Sequence, residues 1–444
     1  MRGGFLFVLI AGLTPLLVFS FLVIATGLPL VEWQPPVLWT TQFGTPGVGI
    51  QNSVSVLSGD STGVYAGGFI GFPGANITIP SPSNLFVSKY DLSGHLVWTQ
   101  QFFDPDRSSI NGISVGTDGL YVAGSVNLDA KSTGFVQKYD LNGREIWNNT
   151  YGQPGGEATS VSVGNGGVYA GFDYNLGSTS NIVVRSYDDN GNVVWTKSIG
   201  NFTPGSLNVY SAASRVYVEG SPYLDAGFLK SYYFNGSLDW ARQFTCACYK
   251  TSLSSGQSGI YVSGNSYEGG IGSGFLTKYD PNGNQVWTRS LQASDYTSVG
   301  NVQMSADTSG IDLAITGLNT GFLMRYDSNG NQQWSFRLRQ MMNAISVGQN
   351  GVYVGGYTPF VALGGVVSTN ALLSEFSQSS SLIFFGLNPP YSFITVAAVS
   401  AGVGFTLWRL RRRAKRRPPR PKSTAPYGSP KPQSDEPLWR RRPP

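Results

Sequence analysis

Seven tryptophans, Trp39, Trp98, Trp147, Trp195, Trp240, Trp287 and Trp334, punctuate the middle of this 444-residue chain at intervals of 59, 49, 48, 45, 47 and 47 residues. A unit of that length is one supersecondary element that cannot bury its own apolar face, so successive copies must stack on one another. Each copy reads as four short strands. The first (a) is an alternating Ser/Val run, as at residues 53–56, 113–115, 160–163 and 345–347. The second (b) carries Val-Tyr-x-x-Gly, with Tyr65, Tyr121, Tyr169, Tyr217, Tyr261 and Tyr353, and residues 312–315 as the odd copy. The third (c) is apolar and ends at Tyr-Asp, and the fourth (d) carries the Trp. Alternation over a few residues between turn signals is the strand pattern.

The a, b and c segments occur seven times between residues 52 and 376, and the d segments also occur seven times, but displaced by one. The first d, residues 37–43, precedes any a, while the last c is followed by no d. A ring closed by pairing the N-terminal strand into the last unit explains the offset and leaves no open edge. The expected fold is all-β, a seven-bladed β-propeller over residues 37–378. Gly, at 57 residues, and aromatics, at 13%, suit a turn-rich β protein with aromatic packing between blades.

The c to d turn carries Asp-x-Asn-Gly or a close relative at Asp91, Asp140, Asp188, Asp280 and Asp327, with Gly94, Gly143, Gly191, Gly283 and Gly330 three residues on. Its Asp can fold back on the turn backbone, and its Gly takes positive φ at no steric cost. The alternative is a calcium loop, but such loops need further carboxylates and a downstream bidentate Glu, whereas here an apolar strand follows. The fourth copy has Tyr233, Phe234, Asn235 and Gly236 instead. No metal site and no cofactor are expected.

On these residues the chain resembles the SBBP repeats of exported cell-surface β-propellers, over about residues 37–378. The Gly-x-x-x-Trp spacing, as from Gly94 to Trp98, is similar to the Trp-docking motif of quinoprotein-type propellers, in which each Trp wedges between blades. Paired glycines at Gly67, Gly68, Gly355 and Gly356 resemble kelch repeats. All three resemblances imply the same fold and different functions, and none transfers a catalytic residue.

Both ends address a membrane. Residues 5–31 are uncharged, so residues 1–36 are expected to be a signal peptide or an N-terminal anchor. Residues 382–408 form a second apolar span, ending at a basic run from Arg409 to Arg417. By the positive-inside rule the tail, residues 409–444, is cytoplasmic and the propeller lies outside. That tail, rich in Pro and Arg, lacks apolar periodicity and is expected to be disordered. It holds a net charge of +11, against −6 for the rest of the chain. The pI of about 9.0 is therefore a matter of membrane topology, and nucleic acid is excluded as a partner.

Four Asn-x-Ser/Thr sequons, at Asn76, Asn148, Asn201 and Asn235, are glycosylation candidates on a secretory route. The only cysteines, Cys246 and Cys248, could bridge locally, pair with another chain or remain thiols. With one histidine, His95, the usual four-ligand zinc set is absent, and no Ser-His-Asp triad around it has motif support. The inner strands read as Ser, Val, Ile and Gly, so no carboxylate pair for glycoside hydrolysis is apparent. Catalysis is disfavoured, and the structural repeat tryptophans are each expected to be buried between blades.

Two b to c loops are enlarged. Residues 69–84 carry Phe69, Phe72 and Ile77, and residues 357–370 carry Tyr357, Phe360 and Leu363. Ring closure makes their blades neighbours, so the loops are expected either to form one apolar recognition patch or to pack on each other over the seam. The functional expectation is a membrane-anchored, extracytoplasmic binding module for protein or glycan in the cell envelope. The alternatives are an envelope enzyme or oxidoreductase and a structural coat component.

Overall fold

A computed structural model describes residues 36–378 apart from short segments, the longest being 74–82 and 292–298. The expected signal or anchor, the C-terminal apolar span and the basic tail lie outside the described residues. Among the described residues no helix is long and apolar enough to cross a membrane.

Strand β1 (Val37–Phe43) is followed by six complete blades and one incomplete one. Blade 1 is β2 (Ile50–Asp60), β3 (Gly63–Pro73), β4 (Ser83–Asp91) and β5 (Leu96–Asp104). Blade 2 is β6 (Ser109–Gly116), β7 (Gly119–Leu128), β8 (Lys131–Tyr139) and β9 (Glu145–Thr150). Blade 3 is β10 (Gly156–Gly164), β11 (Gly167–Asn175), β12 (Ser180–Tyr187) and β13 (Val193–Phe202). Blade 4 is β14 (Pro204–Ser211), β15 (Val216–Pro222), β16 (Gly227–Tyr232) and β17 (Leu238–Phe244). Blade 5 is β18 (Cys248–Gly256), β19 (Gly259–Ser266), β20 (Ser273–Tyr279) and β21 (Gln285–Leu291). Blade 6 is β22 (Asn301–Ala306), β23 (Ile311–Thr316), β24 (Gly321–Tyr326) and β25 (Gln332–Leu338). Blade 7 has β26 (Met341–Val347), β27 (Gly351–Val361) and β28 (Val367–Ser377), and β1 pairs antiparallel with β28 as its outermost strand. The seven-bladed ring and its closure are as the repeat offset predicts.

The core is divided. Each apolar cluster spans one blade boundary, as when Tyr65, Leu85 and Val87 of blade 1 meet Ile113, Leu120 and Phe135 of blade 2. The closing cluster joins Val54, Val64 and Phe86 of blade 1 to Tyr353, Ala371 and Leu373 of blade 7. No blade buries its own faces, which is why the repeat must close.

A second device holds the inner strands together. Serine hydroxyls on six of the seven a strands accept hydrogen bonds from the next blade's backbone N–H: Ser58 from Val115, Ser114 from Val163, Ser162 from Ser211, Ser254 from Ala306, Ser305 from Val347 and Ser346 from Gly59. The distances run from 2.9 to 3.1 Å. The alternating Ser/Val pattern thus has a mechanism, with Val facing the core and Ser stitching neighbours. At the boundary between blades 4 and 5 the Ser is replaced by Tyr210, whose hydroxyl donates to the Ser255 carbonyl at 3.4 Å.

The tryptophans bridge the outer rim. Each indole N–H donates to a carbonyl in the following blade's c to d turn, as Trp98 does to Leu141 at 3.0 Å and Trp195 to Phe234 at 2.8 Å. Trp334 reaches Gln378 at 3.1 Å, where blade 7 has no such turn. Within its own blade each of the first six rings lies against the b-strand tyrosine, as Trp98 lies 6.0 Å from Tyr65. Only Trp334 is buried; the other six are half-buried. Full burial between blades is therefore corrected: the d strand is outermost, so its ring covers the neighbour's turn with one side and faces solvent with the other.

The turn glycine has two reasons to be glycine. Gly143 has φ of +86°, and a Cβ there would stand 2.7 Å from Trp98 Cδ2. Gly143→Ala should therefore cost about 1 to 2 kcal/mol for the left-handed backbone and more for the displaced indole. Chemical denaturation and a red shift of Trp emission would register it. An unchanged denaturation midpoint would mean that the docking contributes nothing.

Candidate functional site

The a strands all start on the face that also carries the b to c and d to a loops. At that end they surround an axial cavity of about 560 Å³. Every innermost strand contributes: Ser55, Asn111, Glu157, Ser206 with Asn208, Lys250 with Thr251, Gln303 with Asn301, and Asn343. The lining is mostly polar, with Ile110 and Leu207 as its apolar members, because these side chains alternate with the Val and Ile that pack between blades.

Two carboxylates meet here. Glu157 on β10 stands opposite Asp173 on β11 in the antiparallel register. Directly opposed residues have Cβ atoms about 5 Å apart, so like charges interfere. Burial among the cavity walls raises the Glu157 carboxyl above its usual range, and the Asp173 charge raises it further. Glu157 is nevertheless exposed at the open cavity, so solvent moderates this shift. Burial raises Asp173 too, and its Oδ1 is buried with no hydrogen-bond partner. The innermost strand thus supplies one carboxylate, Glu157, and the second strand the other, Asp173, a juxtaposition that the sequence of the inner strands does not show. Glu157 and Asp173 are 16 positions apart, and the β10–β11 register shifts between Ala158 and Ser160, so their juxtaposition cannot be counted off the chain.

Behind the wall lies a third acid. Glu219 on β15 is fully buried and accepts from Thr251 Oγ1 at 2.7 and 2.8 Å and from Asn208 Nδ2 at 2.8 Å. Burial dominates these bonds and pushes its carboxyl up to about 7. The folded state therefore holds this proton more tightly than the unfolded chain. The resulting stability is complete below the unfolded value of 4.5 and is lost as pH rises through about 7. At 1.4 kcal/mol per pH unit the loss approaches about 3 kcal/mol by pH 8. Urea midpoints at pH 5 and pH 8 should differ in that direction, and Glu219→Gln should flatten the difference. A Glu219→Gln protein with an undiminished slope would assign the effect elsewhere.

The residues expected in the loop patch are placed as follows. Phe69 is half-buried and packs against the cluster between blades 1 and 2. Tyr357 is half-buried, and burial raises its hydroxyl. Phe72 lies on β3 opposite Gln51, and Phe360 on β27 opposite Ser368, with their side chains outside the described residues. Ile77, Leu363 and Asn76 also lie outside them. The seam below the loops is polar: Asn52 donates to the Thr369 carbonyl at 2.6 Å and accepts from Gly71 N at 2.9 Å, while Ser368 Oγ accepts from Gly49 N at 2.8 Å. Asn148, Asn201 and Asn235 are exposed, and Asn235 accepts from Ser237 N at 2.9 Å within its turn.

The turn aspartates act on their own backbone. Asp140 Oδ1 accepts from Asn142 N at 3.0 Å and Arg144 N at 2.9 Å, and these backbone bonds hold its carboxyl below the usual range. Cys248 is disulfide-bonded, and the chain's other cysteine, Cys246, lies outside the described residues. Among the described residues no group of three or more His, Cys, Asp or Glu side chains could hold a metal ion.

No protein-family model matches the chain, and no curated protein matches it. Among solved structures it is similar to BamB from Moraxella catarrhalis, at 14% identity over 77% of this chain and 99% of that one, with a TM-score of 0.38. It is also similar to the Dos1 propeller, at 12% identity over 78% and 95% of the two chains, with a TM-score of 0.44. A protein from Lactobacillus plantarum gives 12% identity over 69% and 95%, with a TM-score of 0.43. Likeness at this level carries no argument about activity. The resemblance to SBBP repeats stays one of repeat residues, and function has to be argued from the cavity and its face.

Proposed function

We propose that this chain is a membrane-anchored, extracytoplasmic propeller that acts as a binding module in the cell envelope, recognising protein or glycan. One arrangement supports the reading: the first and last strands of the propeller begin and end on the face opposite the cavity mouth. Pro36 and Ser377 are joined by a 3.0 Å backbone hydrogen bond where a d strand begins and a c strand ends. A tether at those ends leaves the other face, with the cavity and the β3–β4 and β27–β28 hairpins, directed outward. Rigid scaffolds that present loops around a concave centre are the common form of recognition surface.

The test is partner and glycan capture by the purified chain, with Phe72→Ser plus Phe360→Ser as the comparison. If the hairpins recognise the partner, capture is lost while the melting temperature holds. Intact capture with lowered stability would mean that the two rings pack over the seam, and would sink the hairpin reading. A hydrolytic reading is favoured by one observation, the opposed Glu157 and Asp173, since retaining glycosidases set two carboxylates about 5 Å apart. Cleavage of any captured glycan, abolished by Glu157→Gln, would move the chain to that class.

A further inference from the structure

The charges and donors of the axial cavity are out of balance in a way that specifies a ligand. Glu157, Asp173 and Lys250 line it, and none of the three makes an ion pair among the described residues. Several amide nitrogens around it bond the walls, and the Asn111 side chain also hydrogen-bonds Glu157. Asn111 Nδ2 donates to the Ala158 carbonyl at 3.0 Å, Asn208 Nδ2 to Glu219 Oε2 at 2.8 Å and the Thr251 carbonyl at 3.0 Å, and Asn343 Nδ2 to Ser53 Oγ at 2.9 Å. Their Oδ1 oxygens therefore remain as acceptors. With two carboxylates set against the single cation Lys250 among the described lining residues, the cavity carries one excess negative charge when both carboxyls are ionised.

A neutral ligand would leave the two carboxylates facing each other, whereas an ammonium placed between them removes their repulsion and donates three hydrogen bonds. Hydroxyl groups satisfy the amide oxygens, and Lys250 supplies a donor for a ligand oxygen. The volume of about 560 Å³ accommodates one or two sugar rings and lies within the usual range of small-molecule sites. The lining contains no aromatic platform, so recognition there is by polar groups rather than by stacking.

We propose that the axial cavity binds a hydroxyl-rich amine of amino-sugar size, with its ammonium group between Glu157 and Asp173. This rests on reading the chain as a binding module and names the site and ligand class for that reading. The elevated Glu157 and Asp173 carboxyls add a signature, because the site must be deprotonated to hold the amine: binding should strengthen as pH rises through the raised range of these carboxyls and weaken again once the amine loses its own proton.

The experiment is titration calorimetry on the full chain with glucosamine, glucose and N-acetylglucosamine as probes. Glucosamine should bind at least about tenfold more tightly than either neutral sugar, a difference of about 1.4 kcal/mol. Glu157→Gln and Asp173→Asn should each remove that preference, with circular dichroism confirming the fold. If the variants do not fold, the pH series on the unaltered chain decides. Equal binding of glucosamine and glucose, no binding of glucosamine, or binding that is indifferent to pH overturns the inference. Partner capture on the hairpin face that persists while glucosamine fails would overturn this site and leave the binding-module reading standing.

Discussion

Removing residues 37–43 should open the ring. Strand β1 is the only d strand of blade 7, and with it go the pairing to β28 and the contacts of Trp39 and Phe43 across the seam. Trp39 donates to the Leu92 carbonyl at 3.1 Å, Thr41 to the Gly94 carbonyl at 3.2 Å, and Phe43 meets Phe86 edge-on at 5.3 Å. Without them residues 371–376 of β28 lose their partner strand, and such edges template aggregation. The expected outcome is loss of a single cooperative denaturation transition together with concentration-dependent aggregation in size-exclusion chromatography. A truncated chain that melts as one unit at the original temperature would show that closure does not depend on this strand.

Replacing Arg325 by Met should destabilise the protein by about 3 to 5 kcal/mol at neutral pH, the cost typical of stranding one partner of a buried ion pair. In most blades the b-strand tyrosine faces the c strand across the sheet, and in three of them a lysine ammonium covers its ring, as Lys89 covers Tyr65 at 5.0 Å and Lys138 covers Tyr121 at 5.2 Å. Blade 6 substitutes both members: Asp312 stands where the tyrosine would be, paired in register with Arg325 and bonded to its guanidinium. Arg325 also donates to Ser309 Oγ at 2.6 Å, and Gln378 donates to Asp307 at 3.0 Å and Asp312 at 3.2 Å. Asp312 is completely buried, and burial outweighs Arg325 and pushes its carboxyl up to about 6. Without Arg325 the Asp312 carboxyl rises further still, so the penalty of Arg325→Met should shrink as pH falls toward 6, with Asp312 taking up its proton first in the variant. Replacing both, Asp312→Tyr with Arg325→Lys, restores the pattern of the other blades and should recover most of the loss. Urea denaturation of the single and double variants measures both effects. A double variant as unstable as the single one would show that blade 6 has no room for the aromatic pair.

The odd copy at Asp312 was visible in the sequence as a departure from Val-Tyr-x-x-Gly, but its reason was not. Arg325 lies 13 residues away on the next strand, and only the antiparallel register brings the two together. The same holds at Tyr210, which breaks the Ser/Val alternation and yet still bridges to blade 5 through its hydroxyl. Both are compensated exceptions to a repeat, and compensation is a property of the neighbour rather than of the residue.

Periodicity by itself determined the strand count, the blade number and the closure by residues 37–43. These follow from chain-local facts: alternation specifies strands, turn residues specify hairpins, and a displaced d segment leaves one topological solution. The tryptophan spacing likewise announced docking between blades, although not that six of the seven rings stay half-exposed. What only the tertiary structure decided is the axial cavity. Its lining takes side chains from all seven innermost strands, spread over residues 55–343, and sets Glu157 against Asp173 through a bulged register. A period reports what every blade shares, whereas the cavity is built from positions at which the blades differ. Its charge pattern therefore arises only when the ring closes and those differences meet on one axis.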